Sequence, residues 1–141
     1  MRLSNRWIIA AALGFGICIT GCGHHKKKPD PVKSVSGVVA TNDYAPLSPE
    51  AIAYVRLADV TRGDVRSQTV VQQSYKLSCC GTVPFELTFK EKLIDPGRDY
   101  ALDVRVVDKG ELVYITRGGQ PVLTKGNPNA LDLKLELAGG H

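Results

Sequence analysis

Leu131-Asp132-Leu133-Lys134-Leu135-Glu136-Leu137 places a leucine at every second position and a charge at every position between. A two-residue repeat puts all four leucines on one face of a β-strand, with Asp132, Lys134 and Glu136 on the other. A helix would need apolar residues three to four apart, and this run lacks that spacing. A strand with one dry face must bury it against a second dry face. At roughly 1.5–3 kcal/mol per buried Leu or Phe, the face contributes several kcal/mol against its ordering entropy.

The same pattern recurs upstream. In Ile52 to Val60, Ala53, Val55 and Leu57 point one way and Tyr54 and Arg56 the other. In Val83 to Phe89, Phe85, Leu87 and Phe89 face in, Glu86 and Thr88 face out, and Pro84 sits near the start, where a missing N–H is tolerated. Tyr100 to Asp108 alternates with Leu102, Val104 and Val106 on one face. Ser34 to Thr41, the Val- and Gln-rich Gln68 to Tyr75, Leu112 to Thr116 and the short edge segment Gln120 to Thr124 complete the set. Turn chemistry separates the segments. Lys109-Gly110 suits a hairpin, and in Asp95-Pro96-Gly97 proline presets φ while glycine accepts positive φ. Gly126-Asn127-Pro128-Asn129 makes another hard turn, and the Cys-bearing stretch Leu77 to Thr82 is expected to be irregular. These short strands predict an all-β domain, a single small antiparallel β-sandwich of about seven strands over residues 34–138, followed by a tail at 139–141.

The N-terminal third has another character. Arg2 and Arg6 precede an uncharged, mostly apolar run from Trp7 to Ile19, short for a membrane span of roughly 20 residues. A basic head, a brief apolar body and a small-residue exit form an export signal over residues 1–21. The competing reading, an uncleaved membrane helix, is weakened by Gly14, Gly16 and Gly21 and by the polar sequence that begins at once after Cys22. Ile19-Thr20-Gly21-Cys22 resembles a bacterial lipobox, in which the cut falls before the cysteine and its thiol carries a diacylglycerol. The resemblance makes Cys22 the lipidation site. It implies a lipid anchor facing the periplasm, on the outer membrane because Gly23 stands where an Asp would favour inner-membrane retention. Residues 22–33, with Lys26-Lys27-Lys28 and two prolines, read as a flexible tether.

Composition narrows the chemistry. Removing residues 1–21 leaves 120 of 141 residues, one small domain. It also lowers the 18 Lys and Arg to 16 against 14 Asp and Glu, a net charge of +2, so nothing points to a nucleic acid. Cys18 leaves with the signal and Cys22 is acylated; Cys79 and Cys80 remain. In an oxidising compartment these two form a strained vicinal disulfide, stay as free thiols, or bond another chain. His24, His25 and His141 lie in the tether or at the end, which provides no ordered histidine-based catalytic set and only a weak metal site. Glu86 and Asp103 could be imagined as paired carboxylates, but charges on the wet face of a strand are expected anyway. No phosphate-binding glycine loop or spaced metal motif occurs. The sequence predicts a protein that is not an enzyme and needs no cofactor.

The domain resembles the YbaY family of lipoproteins, related to the YscW-type pilotins of type III secretion. Val35-Ser36-Gly37-Val38-Val39, Ala53-Tyr54-Val55-Arg56-Leu57-Ala58-Asp59-Val60 and Val83-Pro84-Phe85-Glu86-Leu87 carry the likeness. So do Ile94 to Leu102 and Pro121 to Asn129. The resemblance implies a small β-sandwich without enzymatic activity. In its secretion branch it implies a lipid-anchored chaperone that guides a secretin to the outer membrane, by a groove or sheet edge that takes a short amphipathic segment. A general envelope-homeostasis or ligand-binding module, or an inhibitor of a periplasmic enzyme, are the other readings.

Overall fold

In the computed structural model, residues 28–41, 46–63, 67–77 and 81–139 are described. Cys18, Cys22, Cys79, Cys80 and all three histidines lie outside them, as do the export signal and most of the tether. The described residues form eight strands: β1 (Val32–Thr41), β2 (Ile52–Asp59), β3 (Gln68–Lys76), β4 (Thr82–Lys90), β5 (Tyr100–Asp108), β6 (Glu111–Ile115), β7 (Gln120–Val122) and β8 (Leu133–Leu137). One 3-10 turn, Glu91–Leu93, follows β4.

The all-β sandwich expected from the sequence is formed. One layer holds β3, β2 and β5, with β6 and β7 both on β5; the other holds β4, β1 and β8. The layers are continuous through β6 and β8, so the strands follow one path, β3-β2-β5-β6-β8-β1-β4, that curls almost into a barrel. Every named pairing is antiparallel except β1 with β8.

The alternating residues make the core. Ala53, Val55 and Leu57 of β2, Phe85, Leu87 and Phe89 of β4, and Leu102, Val104 and Val106 of β5 are all buried. Val35 and Val39 of β1 and Tyr114 of β6 close the space between the layers. The final strand starts at Leu133, two residues later than the repeat: Leu133 and Leu135 are buried, Leu131 ahead of the strand is half-buried, and Leu137 is 42% exposed. The leucine repeat therefore outlasts the core it serves by one rung at its end.

Close approach fixes the β1–β8 side. Ser36 N–H donates to Asn129 O and Leu131 N–H to Ser36 O, both at 3.1 Å, before the ladder Val39–Leu133, Ala40–Lys134 and Thr41–Leu135 begins. Gly37 allows this strap, because a Cβ there would stand 1.8 Å from Leu131 O. The β5–β6 hairpin turns on Lys109 and Gly110, both at positive φ, as a tight two-residue turn requires. The Asp95-Pro96-Gly97 turn works differently from expectation. Gly97 is not at positive φ; the turn is held by the Asp95 carboxylate, which accepts from Gly97 N–H at 2.9 Å.

Candidate functional site

The two ends of the strand path, β3 and β4, are consecutive in sequence and run antiparallel along facing rims, yet they exchange no ladder. Among the described residues, the Tyr75 side chain spans the seam. Tyr75 Oη accepts from Glu86 N–H at 3.1 Å and donates to Glu86 O at 2.6 Å. Gln73 Oε1 lies 3.0 Å from the same hydroxyl. Because both backbone groups of Glu86 turn toward the seam, those of Thr88 turn the same way by the two-residue repeat.

The rims differ in composition. Edge strands are ordinarily blunted by charge or proline, because unpaired N–H and C=O groups invite a further strand. β4 is blunted in this way: Pro84, Glu86 and Lys90 are all exposed on it. From Gln68 to Tyr75, β3 carries neither charge nor proline, and Gln68, Thr69, Gln72, Gln73 and Ser74 are exposed. Its composition suits pairing with an extended polypeptide.

Toward the tether end the seam widens into a cavity of about 250 Å³ between Gln68-Thr69-Val70 on one wall and Lys92 and Leu93 on the other. Leu93 is 49% exposed at its edge. Asp59, Arg98 and Tyr100 line its floor. Asp59 accepts from the Thr61 hydroxyl at 2.5 Å, from Arg98 Nη1 at 2.8 Å and from Thr61 N–H at 3.0 Å. These bonds, the Thr61 hydroxyl first, hold its carboxyl down at about 2, and in return Asp59 raises the Arg98 guanidinium. Beside the cavity, Lys92 bonds Asp30 at 2.7 Å and lowers its carboxyl. The charges lining the mouth are thus internally matched, and the wall left to a ligand is the neutral β3 rim.

Several sequence candidates fall elsewhere. Glu86 and Asp103 sit on strands that do not pair, and Asp103 is taken by Arg56, whose Nε lies 2.8 Å away, so they are not a carboxylate pair. Among the described residues no three His, Cys, Asp or Glu side chains gather as metal ligands. Gly118 and Gly119 lead into β7 against β5; a Cβ on Gly119 would press the Ala101 methyl at 2.8 Å. The resemblance implies a groove or sheet edge but does not locate it. Its trace in the sequence is the missing charge between Gln68 and Tyr75.

Comparison with known proteins gives the architecture its relatives. The chain is 29% identical over 103 residues to the uncharacterized lipoprotein YbaY of Escherichia coli (strain K12), which is 72% of this chain and 54% of YbaY. The chain thus spans about half the length of that relative. The fold superposes with a TM-score of 0.71 on an alternative pilotin from the type II secretion system of Vibrio cholerae, at 22% identity, covering 78% of this chain and all of the pilotin. Residues 30–135 match the family described as type III secretion system lipoprotein chaperone, and the chain belongs to that family, YscW.

Proposed function

We propose that this chain is a lipid-anchored chaperone of the cell envelope, acylated on Cys22 and facing the periplasm from the outer membrane. Its sandwich binds a short segment of a secretin, in the manner of a pilotin. Membership of a family of secretion lipoprotein chaperones and a fold shared with a pilotin support the role. The observation that carries the binding mode is the charge-free stretch of β3 from Gln68 to Tyr75, facing a β4 edge with which it shares no ladder. An extended segment adding to β3 gains main-chain hydrogen bonds along the rim and reaches the cavity at Val70 and Leu93 with its side chains. The protein's work is binding, not catalysis.

Residues 1–21 serve as the signal, 22–33 as the tether, of which Val32 and Lys33 already run into β1, and 34–138 as the binding domain. Cys79 and Cys80 fall in sequence between the two rims, and their pairing is read by mass spectrometry under non-reducing conditions, with and without alkylation.

Deleting the gene tests the role. Secretin multimers should disappear from the outer membrane and return with the intact chain. A Cys22→Ser chain should not restore them. Unchanged multimers after deletion would remove the secretin as client.

A further inference from the structure

A second surface lies on the outer face of the β2–β5–β6 layer, away from the seam. The residues of β2 and β5 that face inward, Ala53, Val55, Val104 and Val106, are fully buried, so their neighbours in sequence point outward. Pairing aligns those neighbours in rungs. One rung is Ile52, Val107 and Leu112; the next is Tyr54, Arg105 and Ile115. Directly paired residues share a face. A solvent-facing side of an antiparallel sheet is normally polar. Here five of the six positions are apolar or aromatic, and Leu112 is 47% exposed.

The sixth position is Arg105. It is exposed, and among the described residues it makes no ion pair. Its near neighbour Arg56 is neutralised by Asp103. Arg105 stands in a hollow of about 280 Å³ whose lining includes Tyr54, Arg56, Gln72, Asp103 and Val107. The arrangement is a small apolar patch around Arg105, continued on β3 by Ser74 and the exposed Lys76 and on β8 by Glu136, which Arg117 neutralises.

We propose that this face docks an apolar segment of a partner polypeptide that carries a carboxylate aimed at Arg105. The chemistry of the face selects that occupant. A purely apolar segment would cover Arg105 without a counter-charge, and leaving a buried charge unpaired is strongly unfavourable. A basic segment would be repelled. A carboxylate meets the guanidinium fork with two parallel hydrogen bonds while Ile52, Tyr54, Val107, Leu112 and Ile115 take up the flanking side chains. The inference rests on the chain being a partner-binding lipoprotein, but not on use of the β3 rim or on a secretin being the client.

The test uses the full acylated chain in intact cells. A photo-crosslinking residue replaces Leu112, or Val38 on β1 of the opposite layer as the control. Irradiation should join the Leu112 variant, and not the Val38 variant, to an envelope protein. Sequencing of the joined peptide should reveal an Asp or Glu flanked by apolar residues. Arg105→Glu in the same chain should cut the adduct about tenfold or more, whereas Arg105→Lys, which keeps the charge but loses the fork, should cut it by less. Thermal melts of both Arg105 variants should stay at the parent value, which separates lost docking from lost fold. Absence of an adduct, equal adducts from Val38, a joined lipid instead of a protein, a peptide without an acid, or indifference to Arg105→Glu would each overturn the proposal. Secretin multimers that ignore gene deletion, with the Leu112 adduct intact, would remove the secretin reading alone.

Discussion

The Tyr75 hydroxyl both donates to and accepts from the backbone of Glu86, so one phenol substitutes for a rung of sheet between strands that otherwise do not pair. Both polar groups of Glu86 are satisfied without committing the rest of either rim. Tyr75 is therefore a local clasp, and the β3 rim toward Val70 stays open beyond it.

Tyr75→Phe removes the clasp and keeps the ring. Stability should fall by about 1–3 kcal/mol, the net worth of the two hydrogen bonds lost. Amide exchange at Glu86 should quicken while exchange at Val55 and Val104 stays slow. Hydrogen-exchange mass spectrometry together with a thermal melt reads both effects, and uniform loss of protection across the sheet would contradict a local role.

Two leucines of the same repeat should respond very unequally to charge. Leu133 is 1% exposed, so Leu133→Asp buries an unpaired carboxylate and should cost about 4 kcal/mol or more, a large share of the stability of a small domain. Leu137 is 42% exposed, and Leu137→Asp should cost about 1 kcal/mol or less. Denaturant midpoints of the two variants decide whether the core boundary lies between them.

Gly37→Ala adds one methyl group against a backbone oxygen rather than a movable side chain. The strap from Asn129 to Leu131 must shift away from β1, breaking its bonds with Ser36. The expected cost is about 2–3 kcal/mol. Gly110→Ala meets no neighbouring atom, but it places a side chain at φ 83°, so its penalty comes from the backbone alone. Urea melts that find Gly37→Ala harmless would contradict the close packing of the strap.

Acid should loosen the tether end. Asp59 titrates at about 2 in the folded chain, below the usual aspartate value near 3.9. A depressed carboxyl contributes stability that is fully present above the unfolded value and fades as pH falls through the folded one. Melting temperature should therefore hold down to about pH 5 and then drop between about pH 4 and 2. Asp30 and Asp108 add to the drop in the same sense, the first lowered chiefly by its hydrogen bond with Lys92 and the second by that with the Ser48 hydroxyl. Asp59→Asn should be less stable than the parent at pH 7, and the gap should narrow toward pH 2. A gap independent of pH would assign the loss to packing rather than charge.

Much of this fold is written locally. Ala53, Val55 and Leu57, or Phe85, Leu87 and Phe89, announce both a strand and its inward face, because side-chain direction alternates whatever the partner strand is. The Lys109-Gly110 hairpin is equally local. What depends on distant partners is hidden. Val32 and Lys33 belong to β1 rather than to the tether because β4 extends to Lys90 and pairs with both. Leu137 alternates correctly but lies beyond the layer that would cover it. Arg105 and Ile115 look like unrelated residues until the β5–β6 register sets them side by side.

The parallel pairing of β1 with β8 also carries a kinetic consequence. Val38 N–H reaches the Asp132 carboxylate across 94 residues of chain, and the ladder beside it spans the same interval. Bringing such remote segments together costs loop-closure entropy before any reward arrives, which slows folding. Until β8 is in place, β1 has β4 on one side and a bare flank on the other. A chain cut short before Leu133 should therefore be left with a sheet that cannot finish, and with a sticky border where its first strand waits.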